Sequence, residues 1–262
     1  MSDPFRDRYG PWALITGASE GIGESFARSL AARGLHLLLV ARRPGPLDAL
    51  ATELRAAHGI QVRTATADVA RPDLLAVLDT LAGEDEVGLI VHNAAFSALG
   101  PFLDRKLEDL YQVIDVNCRA PLAMAHHFGR KMAARGRGGI VLMTSLAGGQ
   151  GTPMVASYAA TKAFEIVLAE GLWDELRPAG VDVLACRAGA TRTPSYEASR
   201  PRKKVPLMES GPVAEEALAA LGRQPVVIAG RLNRTVNFVM QRLLSRSAAI
   251  RFMGKHTRKM YE

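Results

Sequence analysis

A tyrosine and a lysine four residues apart, Tyr158 and Lys162, are the side chains in this sequence best suited to moving a proton. Residues i and i+4 share one face of a helix, so this spacing places a phenol and an ammonium at one site. A neighbouring cation favours the phenolate and brings a phenol closer to the pH range in which proton transfer is efficient. The sequence therefore predicts Tyr158 as a general acid and base.

A second hydroxyl stands upstream of this pair. The apolar, strand-like run 139–145 ends in Ser145, and a hydroxyl at that point could polarise a reacting carbonyl oxygen. The alternative is an ordinary helix whose Tyr and Lys extend along the surface with their polar ends in water. A Tyr-x-x-x-Lys spacing alone would favour that alternative, and the rest of the chain decides against it.

A glycine-rich turn near the N-terminus has the setting of a dinucleotide-binding site. Residues 12–16 have the pattern of a short buried strand, and GASEGIG at 17–23 leads from it into a helical pattern. Glycines let the backbone approach a pyrophosphate, and a helix N-terminus supplies N–H groups and a positive dipole. Without the other signals, a glycine-rich turn that binds no ligand would explain this segment equally well.

A series of motifs in a characteristic order makes the chain resemble the short-chain dehydrogenase/reductase family, in its single-domain branch. They are TGASEGIG at 16–23, DV at 68–69, HNAA at 92–95 and RAGATRT at 187–193, with Asn117, Ser145, Tyr158 and Lys162. The resemblance covers residues 10–230 and extends loosely to members that act on hydroxysteroids or 3-oxoacyl chains. It implies an oxidoreductase with a nicotinamide cofactor.

The resemblance also implies roles for the matched residues. Tyr158 would exchange the proton, Ser145 would bind the reacting oxygen, and Lys162 would hold the cofactor ribose and tune the tyrosine. Asn117 would position a water between the lysine and solvent, although an asparagine that bonds a neighbouring backbone is equally compatible with the sequence. The residues expected to bind the cofactor are Gly17, Ser19, Glu20, Gly21, Ile22, Gly23, Arg42, Arg43, Asp68, Val69, Asn93, Ala94, Tyr158, Lys162, Gly189, Thr191 and Thr193.

Within that set, the carboxylate of Asp68 and the backbone of Val69 would contact the adenine, and Asn93 would lie beside the adenosine ribose. Thr193 would bond the nicotinamide carboxamide. The chain departs from the family where Ala188 precedes Gly189 in place of the usual proline. Since proline fixes φ, its loss predicts a less rigid turn beside the nicotinamide.

Two arginines at the end of the second predicted strand bear on the choice of cofactor. Dinucleotide-binding folds commonly place an acidic residue there for the ribose hydroxyls, whereas arginine suits a 2′-phosphate. Arg42 and Arg43 therefore favour NADP(H), and a solvated arginine pair is the alternative. Glu20 in the glycine loop is a counter-signal, because many NADP-preferring relatives carry a basic residue there.

The predicted substrate pocket is apolar. It would be walled by Ser145, Leu146, Pro153, Met154, Tyr158, Ala188 and the segment 194–212. No charged anchor faces the reacting centre in this set, so a lipophilic ketone or alcohol is expected, such as a steroid, a 3-oxoacyl chain or an aryl ketone. The segment 194–212 is rich in Pro, Ser, Arg and Lys, which predicts a mobile lid.

Length and hydrophobic pattern predict the fold class. A chain of 262 residues with 48% hydrophobic and 23% charged residues suits one globular α/β domain over 1–262. Continuous apolar runs at 12–16, 35–41, 60–66, 87–92, 139–144, 181–187 and 225–229 alternate with helical patterns. Runs of this kind indicate strands covered on both faces. The prediction is a Rossmann-like, doubly wound parallel sheet of about seven strands flanked by helices.

The excess positive charge lies in the last third of the chain. Residues 187–262 hold 15 Lys and Arg against 5 Asp and Glu, and the whole chain has a net charge of +7. A basic extension at 231–262 begins with a helical apolar pattern over 231–246. We expect this pattern to pack on the body or on a second subunit of a homodimer or homotetramer. Peripheral contact with an anionic membrane or an acidic acyl carrier is the less favoured alternative.

Other classes of partner receive little support from the sequence. No recognisable nucleic-acid module accompanies the positive charge. His126 and His127 have no further ligand-type neighbours, so no metal site is expected. The chain has only two cysteines, Cys118 and Cys186, which favours the reducing cytoplasm. It has neither an apolar leader nor an 18-residue apolar stretch, so no transmembrane segment is expected. An NADP-binding regulator or scaffold with little turnover remains the alternative to an enzyme.

Overall fold

The computed structural model describes residues 4–202 and 205–261, and within them seven strands alternate with helices. The strands are β1 (Trp12–Thr16), β2 (His36–Ala41), β3 (Val62–Thr66), β4 (Val87–His92), β5 (Gly138–Ser145), β6 (Val181–Ala188) and β7 (Val226–Ile228). Each lies within two residues of a predicted span, because continuous apolar runs mark strands that are buried on both faces.

All neighbouring strands are parallel, in the order β3-β2-β1-β4-β5-β6-β7. The order reverses between β1 and β4, where Thr16 is paired with His92. In open parallel sheets a ligand binds at such a switch point, beyond the carboxyl ends of the strands. The predicted doubly wound sheet is confirmed.

The helices connect the strands on both faces of the sheet. They are α1 (Pro4–Tyr9), α2 (Gly21–Ala32), α3 (Pro44–His58), α4 (Leu74–Ala82), α5 (Leu107–Ile114), α6 (Ala120–Ala134), α7 (Ala156–Leu176), α8 (Pro194–Ala198), α9 (Ser210–Ala220), α10 (Arg231–Phe238) and α11 (Arg246–Tyr261). Two π-helical segments, Asp115–Arg119 and Val239–Leu243, follow α5 and α10, and short 3₁₀ turns lie at Phe102–Asp104, Leu146–Gly149 and Arg177–Ala179.

Alternate residues of the central strands enter two separate apolar layers. Ala13 and Ile15 pack with helices α2, α3 and α9, whereas Trp12 and Leu14 pack with α4, α6 and α7. Successive side chains of a strand point to opposite faces, so a short apolar strand contributes to both layers. Burial on both sides holds the carboxyl edge of the sheet, and the residues that follow it, in a fixed position.

The predicted lid and the C-terminal extension both contain regular structure. The segment 194–212 begins with α8 and leads into α9, and Thr191 forms a β-bridge with Met208 beside it. Lys203 and Lys204 of this segment lie outside the described residues. Among residues 4–202 and 205–261, none of the helices combines the length and apolar character that a bilayer span requires.

Candidate active site

Lys162 joins helix α7 to the end of strand β5. Its Nζ donates to the main-chain oxygen of Met143 at 2.8 Å, and the residue is only 1% exposed. Met143 lies two residues before Ser145 in the same strand. This single bond therefore fixes the predicted lysine beside the strand end that carries the predicted serine.

Ser145 is the last residue of β5 and caps the 3₁₀ turn that follows it. Its Oγ accepts a hydrogen bond from the main-chain N of Ala147 at 3.2 Å. The turn lies against α7, since a Cβ on Gly148 would come within 2.7 Å of the carbonyl carbon of Lys162. Glycine is required there by this close approach. The hydroxyl of Ser145 keeps its own proton free to donate to a reacting oxygen.

Tyr158 lies one helical turn before Lys162 and is half-buried. The lysine Nζ is 5.7 Å from the centre of the tyrosine ring. That separation is within the range of a direct electrostatic effect of the ammonium on the phenol. The structure thus places Tyr158, Lys162 and the end of β5 at one location, as the sequence predicted.

Asn117 lies in the π-helical segment after α5 and is fully buried. Its Oδ1 accepts from the N of Phe96 at 2.9 Å, and its Nδ2 donates to the O of Phe96 at 2.9 Å and to Thr161 Oγ1 at 3.0 Å. The side chain therefore joins three parts of the site: the segment after β4, the π-helical turn and α7. π-bulges are frequent at functional sites.

Glu165 is a buried carboxylate that sequence reasoning missed. Both of its carboxylate oxygens accept hydrogen bonds from Lys162 Nζ, at 2.8 Å and 3.0 Å, and the residue is 0% exposed. Burial raises the pKa of Glu165 to about 7, an effect that Lys162 partly opposes. Burial works against the charge on Lys162 as well, but Glu165, Tyr158 and Cys118 together outweigh it and raise the lysine pKa, with Glu165 contributing most to the rise. The i,i+3 spacing of Lys162 and Glu165 is the sequence feature that could have indicated this ion pair.

The glycine loop lies at the switch point of the sheet. Gly17 and Gly21 adopt φ values of +66° and +60°, and a Cβ on Gly23 would lie 2.1 Å from the carbonyl oxygen of Gly17. Only glycine fits such a turn without strain. Helix α2 then begins at Gly21 with Glu20 at its N-cap, whose side chain makes no capping bond, so the first N–H groups stay available to a phosphate.

Other residues predicted to bind the cofactor border the same loop. Asn93, directly after β4, donates from Nδ2 to the carbonyl oxygen of Gly17 at 3.0 Å. The N of Ala94 donates to Thr16 Oγ1 at 3.3 Å. Across the cleft, a Cβ on Gly21 would lie 2.8 Å from Cγ2 of Thr193. The segments after β1, β4 and β6 therefore meet where a dinucleotide would lie, and these residues fit the nicotinamide cofactor that the motifs imply.

The segment after β6 holds the remaining nicotinamide-side residues. Ala188 is the last residue of β6, and Thr191 is buried with its hydroxyl donating to the O of Gly189 at 3.1 Å. Thr193 caps α8, because its Oγ1 accepts from the N of Tyr196 at 3.1 Å. The bridge from Thr191 to Met208 ties down this turn, which lacks the proline expected at Ala188.

Arg42 and Arg43, at the end of β2, differ in their contacts. Arg43 forms an ion pair with Glu20 of the glycine loop. Arg42 is the more open of the two, with 60% of its side chain exposed and its guanidinium 4.0 Å from Asp68. Asp68 also accepts from the N of Ala70 at 2.9 Å, while Val69 beside it is buried. Glu20, the residue that argued against NADP(H) in the sequence, thus pairs with one of the two arginines predicted to bind the 2′-phosphate.

The C-terminal extension, whose residues 231–246 the sequence predicted to pack on the body or on a second subunit, holds the predicted substrate wall. Thr257 of α11 donates to the O of Pro153 at 3.0 Å, and Arg246 donates to the O of Gly149 at 2.8 Å. Met154, next to Pro153, has a φ of +71°, a conformation that a non-glycine residue adopts at a cost. Helix α11 therefore braces the strained loop that leads from Ser145 to Tyr158.

Comparison with known proteins establishes the family. A family model for short chain dehydrogenases matches residues 11–204. The chain belongs to the short chain dehydrogenase family. The resemblance drawn from the motifs is confirmed, and so is the prediction of a nicotinamide-dependent oxidoreductase that interconverts alcohols and carbonyl compounds.

Three relatives of this dehydrogenase cover most of its length. It is 31% identical to the 7beta-hydroxysteroid dehydrogenase of Collinsella aerofaciens over 97% of this chain and 99% of that protein. A structure from a study of 7beta-hydroxysteroid dehydrogenase stereoselectivity superposes with a TM-score of 0.89 at 29% identity, covering 95% of this chain and 98% of the other. A short-chain dehydrogenase from Sphingobium yanoikuyae in complex with NADPH gives a TM-score of 0.77 at 34% identity, over 84% and 87% of the two chains.

Proposed function

We propose that this dehydrogenase uses NADP(H) to interconvert a lipophilic ketone and its secondary alcohol, with Tyr158 as the general acid and base. The observation that carries this proposal is the bond from Lys162 Nζ to the O of Met143, because it brings the tyrosine, the lysine and the end of β5 to one place. A nicotinamide, when bound, would supply or accept the hydride. In reduction, Tyr158 gives its proton to the carbonyl oxygen while Ser145 donates a hydrogen bond to it.

Asn117 would contribute to proton exchange through its main chain. All three hydrogen bonds of its side chain go to Phe96 and Thr161, so the side chain is occupied by the protein. Its main-chain carbonyl lies in a π-helical segment, where the regular helical bonding is interrupted. That carbonyl is the group we assign to the water between Lys162 and solvent.

NADP(H) rather than NAD(H) is supported by the guanidinium groups of Arg42 and Arg43 at the end of β2. Arginine forms a fork that matches phosphate geometry. Because Glu20 holds Arg43, we propose that Arg42 makes the principal contact and that a 2′-phosphate competes with Glu20 for Arg43. The NADPH complex of the Sphingobium yanoikuyae relative agrees with this preference.

The apolar wall supports a bulky lipophilic substrate. Leu146, Pro153, Met154 and Ala188 lie on the segments that border Ser145 and Tyr158, and they carry no charge. The relatedness to 7beta-hydroxysteroid dehydrogenase over nearly the whole chain favours a steroid alcohol among the substrate classes predicted. Both cysteines are free, which supports the proposal that the enzyme works in the reducing cytosol.

We also propose that the enzyme is a homo-oligomer. Helices α5 and α7 carry large apolar side chains that this single chain leaves open to solvent, among them Leu107, Tyr111 and Val167, which is 67% exposed. Clustered exposed apolar side chains mark protein interfaces.

A spectrophotometric screen tests the proposed activity. Steroid, 3-oxoacyl and aryl ketones, with the corresponding alcohols, are presented together with NADPH, NADH or their oxidised forms, and absorbance at the nicotinamide band is followed. We expect turnover with at least one bulky ketone and faster turnover with NADPH than with NADH. Cofactor binding without turnover on any of these compounds would instead support a regulator or scaffold.

A further inference from the structure

We propose that Glu165 is a positioning residue of this dehydrogenase, whose buried carboxylate holds Lys162 in place and keeps it protonated for its work on Tyr158 and the cofactor. The proposal rests on the function proposed above. It concerns a residue of α7 whose carboxylate bonds Lys162 and that acts through this lysine.

The geometry of the pair leaves the lysine little freedom. Two groups hold Nζ, the carboxylate of Glu165 through both of its oxygens and the main-chain O of Met143, and all three oxygens lie within 3.0 Å. Bonds on two sides fix the direction of the long, flexible side chain. Glu165 and the O of Met143 together therefore determine where the ammonium lies relative to the ring of Tyr158.

The burial of the pair explains why a carboxylate is needed. Lys162 and Glu165 are 1% and 0% exposed. A buried lysine without a counter-charge tends to lose its proton, because desolvation disfavours the ammonium. The lysine pKa is raised in spite of full burial, and the Glu165 carboxylate contributes most to that rise, ahead of Tyr158 and Cys118.

The other titratable groups around the pair do not replace this charge. His92 of β4 bonds Thr16 and the O of Val116, and burial lowers its pKa to about 3. Burial raises the pKa of Cys118, in the π-helical turn, to about 11. Both are therefore neutral near pH 7. Among the described residues around Lys162, Glu165 is the carboxylate that bonds the ammonium directly, while Tyr158 carries a negative charge only as the phenolate.

The test compares Glu165→Gln with the parent protein and with Glu170→Gln, a change of the same charge at an exposed position of α7. In cofactor-free protein, the Lys162 side-chain signal is followed by NMR over pH, and its absence in Lys162→Arg provides the assignment. We expect Glu165→Gln to lower the titration midpoint of Lys162 by at least about one pH unit. Glu170→Gln should leave it unchanged.

Kinetics give a second readout of the same effect. If Lys162 loses its proton earlier in Glu165→Gln, alcohol oxidation should fall by about tenfold or more at pH 9 and much less at pH 6.5. A midpoint within 0.3 pH unit of the parent and a parallel pH profile would overturn the role of Glu165. That result leaves the proposed function intact, whereas normal turnover by Tyr158→Phe would overturn the function itself.

A double variant keeps the proposal testable if Glu165→Gln folds poorly. Replacing a buried ion pair by apolar residues is often neutral for stability, whereas removal of one partner leaves an unpaired buried charge. We therefore expect Glu165→Leu to lower the melting temperature by several degrees and Lys162→Met with Glu165→Leu to restore it. Equal melting temperatures for Glu165→Leu and the parent would show that Lys162 does not depend on Glu165.

Discussion

Asn117 donates from Nδ2 to Thr161 Oγ1 at 3.0 Å, and Thr161 in turn donates to the main-chain O of Tyr158 at 2.8 Å. The chain of bonds therefore runs from the π-helical turn through Thr161 to the main chain of Tyr158, the proposed proton donor. Since Asn117 also bonds the main chain of Phe96, three segments distant in sequence share one buried network. Buried networks of this kind are rigid when every member is satisfied.

Loss of the Thr161 hydroxyl should therefore weaken this network and, through it, reduce catalysis. Thr161→Val keeps the shape of the side chain but leaves Asn117 Nδ2 with a single acceptor, Phe96 O. We expect a loss of about 1–3 kcal/mol in the free energy of unfolding, together with reduced turnover. Urea unfolding and steady-state kinetics measure both. Thr80→Val, at an exposed hydroxyl of α4, is the matched control and should change neither quantity.

Tyr158→Phe should remove most turnover and leave NADP(H) affinity nearly unchanged, since only a proton transfer in the transition state is lost. General acid–base catalysis contributes about 10²- to 10⁴-fold, which sets the expected decrease. Lys162→Ala should impair turnover and cofactor affinity together. Steady-state rates and fluorescence titration with NADPH separate the two effects. Tyr111→Phe, on the exposed side of α5, is the control; near-parental turnover by Tyr158→Phe would remove this residue from the mechanism.

The arginines at the end of β2 should distinguish the two cofactors. Arg42→Ala with Arg43→Ala should weaken NADPH about 10- to 100-fold more than NADH, because charge-assisted bonds to the 2′-phosphate are lost. Glu20→Gln frees Arg43 from its ion pair and should tighten NADPH by at most about fivefold, with little change for NADH. Equal losses of affinity for both cofactors would show that these arginines do not contact the phosphate.

The sequence predicted the sheet well because its evidence is local. Seven apolar runs marked the strands, and the order of the motifs placed Ser145, Tyr158 and Lys162 on adjacent segments. The sequence predicted the side-chain contacts less well, because their partners are distant in sequence and their burial depends on tertiary packing. Nothing local in the sequence indicates that Glu165 is buried, and only the packing of α7 against β5 and the π-helical turn reveals its burial. The sequence did not predict the ion pair of Glu20 with Arg43 either, because the two residues lie on different elements.

The buried imidazole of His92 leads us to expect that the free energy of unfolding falls in acid. Burial, assisted by the charge of Lys162, lowers its pKa to about 3, whereas an unfolded histidine titrates near pKa ~6.5. Its contribution to stability is therefore complete above pH ~6.5 and is lost as the pH falls towards 3, by at most about 1.4 kcal/mol per pH unit. Urea unfolding between pH 7.5 and 4.5 should show a shallower decline for His92→Gln than for the parent. The same slope in both proteins would contradict a neutral buried imidazole, and His126→Gln, at an exposed site on α6, serves as the control.

The C-terminal extension should be required for assembly and for the substrate wall rather than for membrane contact. The inner face of α11 is anchored, because Thr257 donates to the O of Pro153 and Met260 is buried, whereas Leu232 and Leu243 outside it stay exposed. Exposed apolar area stabilises an assembly through its burial, while attraction to anionic lipid is screened by salt. Truncation after Gly230 should therefore give aggregated or dissociated, inactive protein.

Two point variants separate the possible roles of this extension. Leu243→Glu should reduce the mass per assembly, measured by light scattering, if the apolar face lies between subunits. Arg251→Glu with Lys255→Glu, on the exposed face of α11, should leave mass and activity unchanged. The full-length protein should not sediment with anionic vesicles at physiological salt. Salt-reversible sedimentation that Arg251→Glu with Lys255→Glu abolishes, together with a soluble, active truncated form of unchanged mass, would instead make the extension a membrane-surface helix.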